Sequence, residues 1–282
     1  MWTRAVALTV CVIGFGCAHE GTRSSLSVEG MSLKGWVRRP KPTALDRDAT
    51  CANRSPLTWQ VSSVGDGFAV NEAIDPRPPV VPAEVQEALP RLQAHGGVQI
   101  ERVSDGWVVG ESAGEFGGGL WYVADGTTQA QELAHENVRG LVEVSGKLFA
   151  LLGYVHRGES SGRVVHVESR SRSGWQIEDI ADLGAFPGAY QASGDSLYVV
   201  TEDGAFRILG SGAVEHLVET SFESLGPVSM AVLPTKEIVL GTKLFIVRLK
   251  PTEAGYVEEW YIPSQCADYR LEAKECICGE RD

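Results

Sequence analysis

An all-β chain is predicted from three observations: turn dipeptides recur at nearly even spacing, each opens a short apolar run, and a second apolar run follows after a gap. Asp105-Gly106 leads into Trp107-Val108-Val109, and Leu120-Trp121-Tyr122-Val123 follows the glycine-rich stretch from Gly114 to Gly119. Ser145-Gly146 opens Leu148-Phe149-Ala150-Leu151-Leu152, with Val164-Val165-His166-Val167 after it, and Ser193-Gly194 opens Leu197-Tyr198-Val199-Val200, with Phe206-Arg207-Ile208 after it. Runs of this length bounded by turn residues read as strands. A further copy has Pro234-Thr235-Lys236 before Ile238-Val239-Leu240 and then Leu244 to Val247, and a degenerate one has Asp66-Gly67 before Phe68-Ala69-Val70.

The steps between Gly67, Gly106, Gly146, Gly194 and Lys236 are 39, 40, 48 and 42 residues. They lie in or close to the range of four-stranded propeller blades. Each unit has room for two more strands. Leu141 to Val144, Ala189 to Ala192 and Val228 to Val232 precede the turns, while Trp175 to Ile177, Val214 to Val218 and Tyr256 to Trp260 close the units. The expectation is a β-propeller-like domain of five or six four-stranded blades, each an antiparallel meander with a half-exposed outer strand. A β-sandwich is the alternative, since it also produces short strands at regular spacing.

In chain order, a single early charge at Arg4 precedes the apolar run from Ala5 to Phe15. That run is too short for a permanent membrane helix and suits the core of a signal peptide. Next, Ile13-Gly14-Phe15-Gly16-Cys17-Ala18 resembles a bacterial lipobox, in which a small residue stands directly before a cysteine at the end of the apolar core. The resemblance implies that residues 1–16 are removed and that Cys17 carries the lipid of an envelope lipoprotein. Gly14 stands where that family prefers Leu, so ordinary cleavage after Ala18 and secretion remain the alternative.

Residues 17–50 are polar and carry Arg38-Arg39-Pro40-Lys41-Pro42, which reads as a solvated tether. The domain then occupies residues 51–282. Between its first two units, the prolines from Pro76 to Pro82 fix an extended segment, and Val85, Ala88, Leu89 and Leu92 fall at helical spacing. One short helical insertion is therefore expected, beginning at Pro82 and limited by Pro90.

Setting aside Cys11 in the leader and Cys17, four of the six cysteines remain: Cys51 before the first unit, and Cys266, Cys276 and Cys278 in the tail at 264–282. In an exported chain this even remainder reads as two disulfides. A bond from Cys51 to one of the other three would clasp the two ends of the domain. The sequence leaves the pairing open.

The search for chemistry returns no catalytic, cofactor or metal residues. The histidines at 19, 95, 135, 156, 166 and 216 are scattered, with His166 and His216 inside expected strands. No paired-histidine or calcium-loop spacing occurs. The glycines from 114 to 119 run into a strand rather than a helix N-terminus, so they form a hairpin loop and not a phosphate cradle. There is no GxSxG, and Gly210-Ser211-Gly212 is a turn. The aspartates at 105, 125, 195 and 203 sit in turns, which their side chains cap. Trp175 and Trp260 fall in expected outer strands, where exposed contact sites compete with packing between units.

A formal charge of −12 excludes a nucleic-acid backbone as the expected partner. The expected function is an extracytoplasmic binding or scaffold protein of the cell envelope, whose partner is an envelope protein or a glycan and which meets the membrane through lipid at Cys17. A propeller hydrolase or lyase acting on a sugar or lactone, and a structural assembly component of the envelope, are the alternatives. Catalysis is not excluded by missing motifs, because a propeller enzyme draws its groups from loops of several units.

Overall fold

The structure, a computed structural model, describes residues 33–43, 46–73, 79–92, 97–157, 159–170, 174–222, 225–272 and 275–279. The leader, Cys11, Cys17, His19, His95 and the prolines at 76 and 78 lie outside the described residues. In chain order come strand β1 (Trp36–Arg39), helix α1 (Arg47–Arg54), the hairpin β2 (Trp59–Val64) and β3 (Gly67–Glu72), and helix α2 (Ala83–Ala88). The first meander is β4 (Gly97–Val103), β5 (Gly106–Ser112), β6 (Gly118–Ala124) and β7 (Ala130–Ala134). The second is β8 (Val138–Val144), β9 (Lys147–His156), β10 (Glu159–Arg170) and β11 (Gly174–Asp182). The third is β12 (Ala189–Ser193), β13 (Ser196–Val200), β14 (Gly204–Leu209) and β15 (Val214–Glu219), and the fourth is β16 (Ser229–Val232), β17 (Ile238–Gly241), β18 (Ile246–Thr252) and β19 (Gly255–Pro263). A short hairpin, β20 (Arg270–Leu271) and β21 (Cys276–Ile277), closes the described chain. No helix among the described residues is long and apolar enough to cross a membrane.

The turn dipeptides set the register. Val144 faces Lys147 across a two-residue loop in which Ser145 and Gly146 both have positive φ, 52° and 74°. That is the hairpin turn whose twist matches the flanking strands. The same two-residue spacing separates Val64 from Gly67, Val103 from Gly106 and Ser193 from Ser196.

The continuous apolar runs arise because the second strand of a meander is buried on both faces. In β13, Leu197 and Val199 enter the core shared with the second meander, while Tyr198 and Val200 enter the core shared with the fourth. In β9, Phe149 and Leu151 face the third meander, and Ala150 and Leu152 face the first. Period-two alternation thus divides side chains between two cores instead of between core and water. The first strands lie side by side in the order β4, β8, β12, β16 and then β2.

Two expectations are corrected. Among the described residues there are four meanders of four strands and one two-stranded hairpin, β2–β3, rather than five or six complete units. Furthermore, the described part of the expected tether is built into the domain. β1 pairs antiparallel with β19 as a fifth strand, and Trp36 meets the Trp59 ring edge-on at 5.0 Å. Arg39 donates to the Ala267 carbonyl at 2.7 Å, and Lys41 pairs with Glu258 at 3.3 Å, so these two basic residues are bound to the fold. The polar composition of this segment concealed a strand because its charges find partners along one edge of the last sheet.

Helix α2 begins after Pro82, as expected, and ends at Ala88. Val85 packs against Val109 and Val123, and the Trp107 indole N–H donates to Glu84 at 2.5 Å. The helix therefore covers the face of the first meander that is turned away from the second. Trp175 and Trp260 are both buried, which removes them as exposed contact sites.

Cys51 is bonded to Cys276, 225 residues away, and Cys266 to Cys278. Helix α1 and the tail are joined further by Tyr269, whose hydroxyl donates to Asp48 at 2.7 Å, and by Arg54, which donates to the Glu272 carbonyl at 2.9 Å. Cys51, Ala52, Cys266 and Cys276 enter the core between the third and fourth meanders.

Candidate functional site

The side-by-side first strands bring their N-terminal ends together at one end of the molecule. A depression of about 580 Å³ opens there, lined from all four meanders. Its walls are apolar, formed by Val138, Val155, Phe186, Pro227 and Val228. Val155 and Val228 are 54% and 37% exposed, and both lie at this mouth.

Two ionisable side chains are among the described lining residues, Arg139 from the start of β8 and Glu202 from the turn between β13 and β14. The Arg139 Nε and Nη2 donate to the Gly188 carbonyl at 3.2 and 2.9 Å. The guanidinium also lies 5.9 Å from the centre of the Tyr190 ring, and the Tyr190 hydroxyl donates to the Arg139 carbonyl at 3.4 Å. Burial raises the Tyr190 pKa, so the phenol stays neutral and keeps this donor. Neither Arg139 nor Glu202 forms an ion pair with any described residue.

Two glycines permit this geometry. A Cβ on Gly140 would lie 2.2 Å from the Tyr190 ring, and one on Gly188 would lie 2.4 Å from the Pro227 carbonyl oxygen. The strands approach closely enough to form one mouth only because these positions lack side chains.

The glycine-rich loop forms part of the surrounding rim. Residues Gly114–Phe116 make a single 3-10 turn, not a phosphate-binding loop. Asn137, which is buried, accepts from the Ala113 N–H at 3.0 Å and donates to the Gly114 carbonyl at 2.8 Å. His156 pairs with Glu115 at 3.3 Å, and Phe116 is 87% exposed.

The other described histidines lie apart from the depression. His135 pairs with Glu132, and His216 stacks on Phe206 with ring centres 4.6 Å apart. His166 is brought beside Glu168 and Glu178, with one ligand-type atom from each within 4.8 Å of the others. Arg170 contacts both glutamates of that group. Its guanidinium already supplies positive charge; burial acts to raise the Glu168 pKa, but hydrogen bonds from Gln176 and then Arg170 hold the carboxyl below its usual range. Sequence spacing missed this cluster because Glu178 faces His166 across the β10–β11 ladder. At the opposite ends of the first strands, Glu101 has its pKa raised by burial and then by Glu143.

Arg139 and Glu202 were invisible to motif reading. They lie 63 positions apart in different meanders and line one cavity only through the convergence of the sheets. Arg139 opens the first strand of its meander and Glu202 follows the second strand of another, so the repeat offered no shared position to mark them.

No family model matches the chain, and no curated protein does. Among solved structures, the extracellular domain of a proposed one component system from B. thetaiotaomicron is similar at a TM-score of 0.38 and 11% identity. The match covers 53% of this chain and 20% of that one.

Proposed function

We propose that the chain is an extracytoplasmic binding domain of the cell envelope whose sheets form a five-bladed propeller with an incomplete first blade. Four meanders and a hairpin share cores in sequence, with first strands adjacent from β4 round to β2, as blades around an axis would be. The disulfides fit an oxidising compartment. The lipobox-like run implies a lipid anchor at Cys17, with an envelope protein or a glycan as partner.

The observation that carries the binding reading is the depression, a concave site with apolar walls, two exposed valines and few polar groups. A mostly apolar cleft with a small number of placed polar groups is the common form of a ligand site. A hydrolase would need an acid and a base or nucleophile on one substrate, and the depression offers one carboxylate, Glu202, opposite a permanently charged arginine.

The reading is tested by comparing the full chain with a Val155→Glu, Val228→Glu double variant for binding to envelope glycans and to proteins of a native envelope extract. Loss of binding with an unchanged melting temperature supports it. Binding retained by the variant overturns it, and turnover of a sugar lactone abolished by Glu202→Gln would favour the enzyme. For the anchor, intact mass and membrane partitioning are compared with those of a Cys17→Ala variant. A lipid-sized increment and membrane association in the unmodified protein alone are expected; a soluble protein in both cases overturns the anchor.

A further inference from the structure

We infer that the depression binds a small zwitterion with an apolar body, of which a free apolar amino acid is the simplest form. This rests on reading the depression as a binding site. Arg139 and Glu202 line the same cavity from different meanders, yet they are not paired with each other or with any other described charged residue. Opposite charges that share a partly desolvated cavity without meeting leave both under-compensated. A monoanion would satisfy Arg139 and be repelled by Glu202, and a monocation would do the reverse. A zwitterion compensates both.

The local geometry supplies the means. Arg139 gives two of its N–H groups to the Gly188 carbonyl. A guanidinium has five, so three remain for a carboxylate, held in place by the Tyr190 ring. The Glu202 side chain, in the β13–β14 turn, is left to accept from an ammonium, while its backbone carbonyl is held by the Phe222 N–H at 2.7 Å. Between them, Val138, Val155, Phe186, Pro227 and Val228 offer an apolar surface for the rest of the molecule. The cavity volume of about 580 Å³ falls within the range of small-molecule sites, roughly 300–1,000 Å³, rather than resembling a flat protein-docking face.

The experiment is calorimetry on the full chain with three probes sharing one apolar body: L-phenylalanine, 3-phenylpropionate and phenethylamine. Phenylalanine is expected to bind about tenfold more tightly than either single-charge analogue, the size of one charge-assisted contact. Arg139→Gln removes the advantage over phenethylamine, and Glu202→Gln the advantage over 3-phenylpropionate. The Glu202 change lies in a turn and removes no hydrogen bond found among the described residues, so it remains informative if the Arg139 variant fails to fold.

Equal affinity for phenylalanine and either analogue, or phenylalanine binding unchanged by both substitutions, overturns the inference. If none of the three probes binds while Val155→Glu with Val228→Glu abolishes binding of an envelope ligand, the zwitterion falls and the binding site stands. If that double variant changes nothing and no probe binds, both fall.

Discussion

Asp46 caps helix α1 with one carboxylate oxygen and braces the preceding turn with the other. Oδ1 accepts from the Ala49 N–H at 2.8 Å and Oδ2 from the Thr43 N–H at 2.5 Å. Burial pushes its pKa up, but the hydrogen bonds from Ala49 and Thr43 outweigh burial and leave it below the usual aspartate range. A folded pKa below the unfolded value, about 3.9, contributes stability above pH 4 that is lost as pH falls through the folded pKa. Asp46→Ala is therefore expected to cost about 1 kcal/mol at pH 7, with the difference from the unmodified protein shrinking as pH falls below 4; urea melts at several pH values check this. Glu237 and Arg248 present the opposite case, a buried pair with side chains each 6% exposed. Glu237→Gln removes the carboxylate charge bound to the guanidinium and is expected to cost roughly 3–5 kcal/mol, whereas replacing both partners with apolar residues of similar volume costs much less. A double-mutant cycle in denaturant separates the two.

At the scale of elements, stability is concentrated in second strands and thins toward the outer ones. Leu197 in β13 is fully buried, while Leu217 in β15 is only partly so. Leu197→Ala is expected to cost about 2–5 kcal/mol, and Leu217→Ala clearly less, by equilibrium denaturation. The same accounting explains the irregular N-terminal elements. The hairpin β2–β3 buries Val61, Phe68 and Val70 against Ala231, Val239 and Ile246 of the fourth meander, and Trp36 of β1 joins that core. Leu33 and Trp36 supply extra contacts there from the same end of the chain.

At the scale of the molecule, the Cys51–Cys276 bond ties helix α1 to the C-terminal hairpin across 225 residues. Closing a loop of that length is worth about 5 kcal/mol in the chain-entropy model. Cys51→Ser should lower the melting temperature under oxidising conditions and leave it almost unchanged under reductant. Equal melting of the unmodified protein with and without reductant would show that the clasp contributes nothing.

Much of this architecture was legible beforehand, and the reasons are local. Positions such as Ser145-Gly146 and Asp105-Gly106 specify tight turns through backbone preference, and runs such as Leu197 to Val200 specify doubly buried strands through composition alone. Likewise, the four cysteines left once Cys11 and Cys17 are set aside, split between the two ends, pointed to long-range pairing without saying which sulfurs pair. Other features depended on contacts between distant segments. The strand at Trp36–Arg39 needed the free edge of β19, the reduction of the first unit to a hairpin was marked only by its degenerate single run at Phe68-Ala69-Val70, and the clustering of His166 with Glu178 needed a ladder register. The sequence by itself determined turns, strands and the repeat, because those follow from interactions among near neighbours. The depression, with Arg139 and Glu202 in one cavity, came from tertiary packing, because only the close approach of sheets at Gly140 and Gly188 brings residues of different repeats within reach of one ligand.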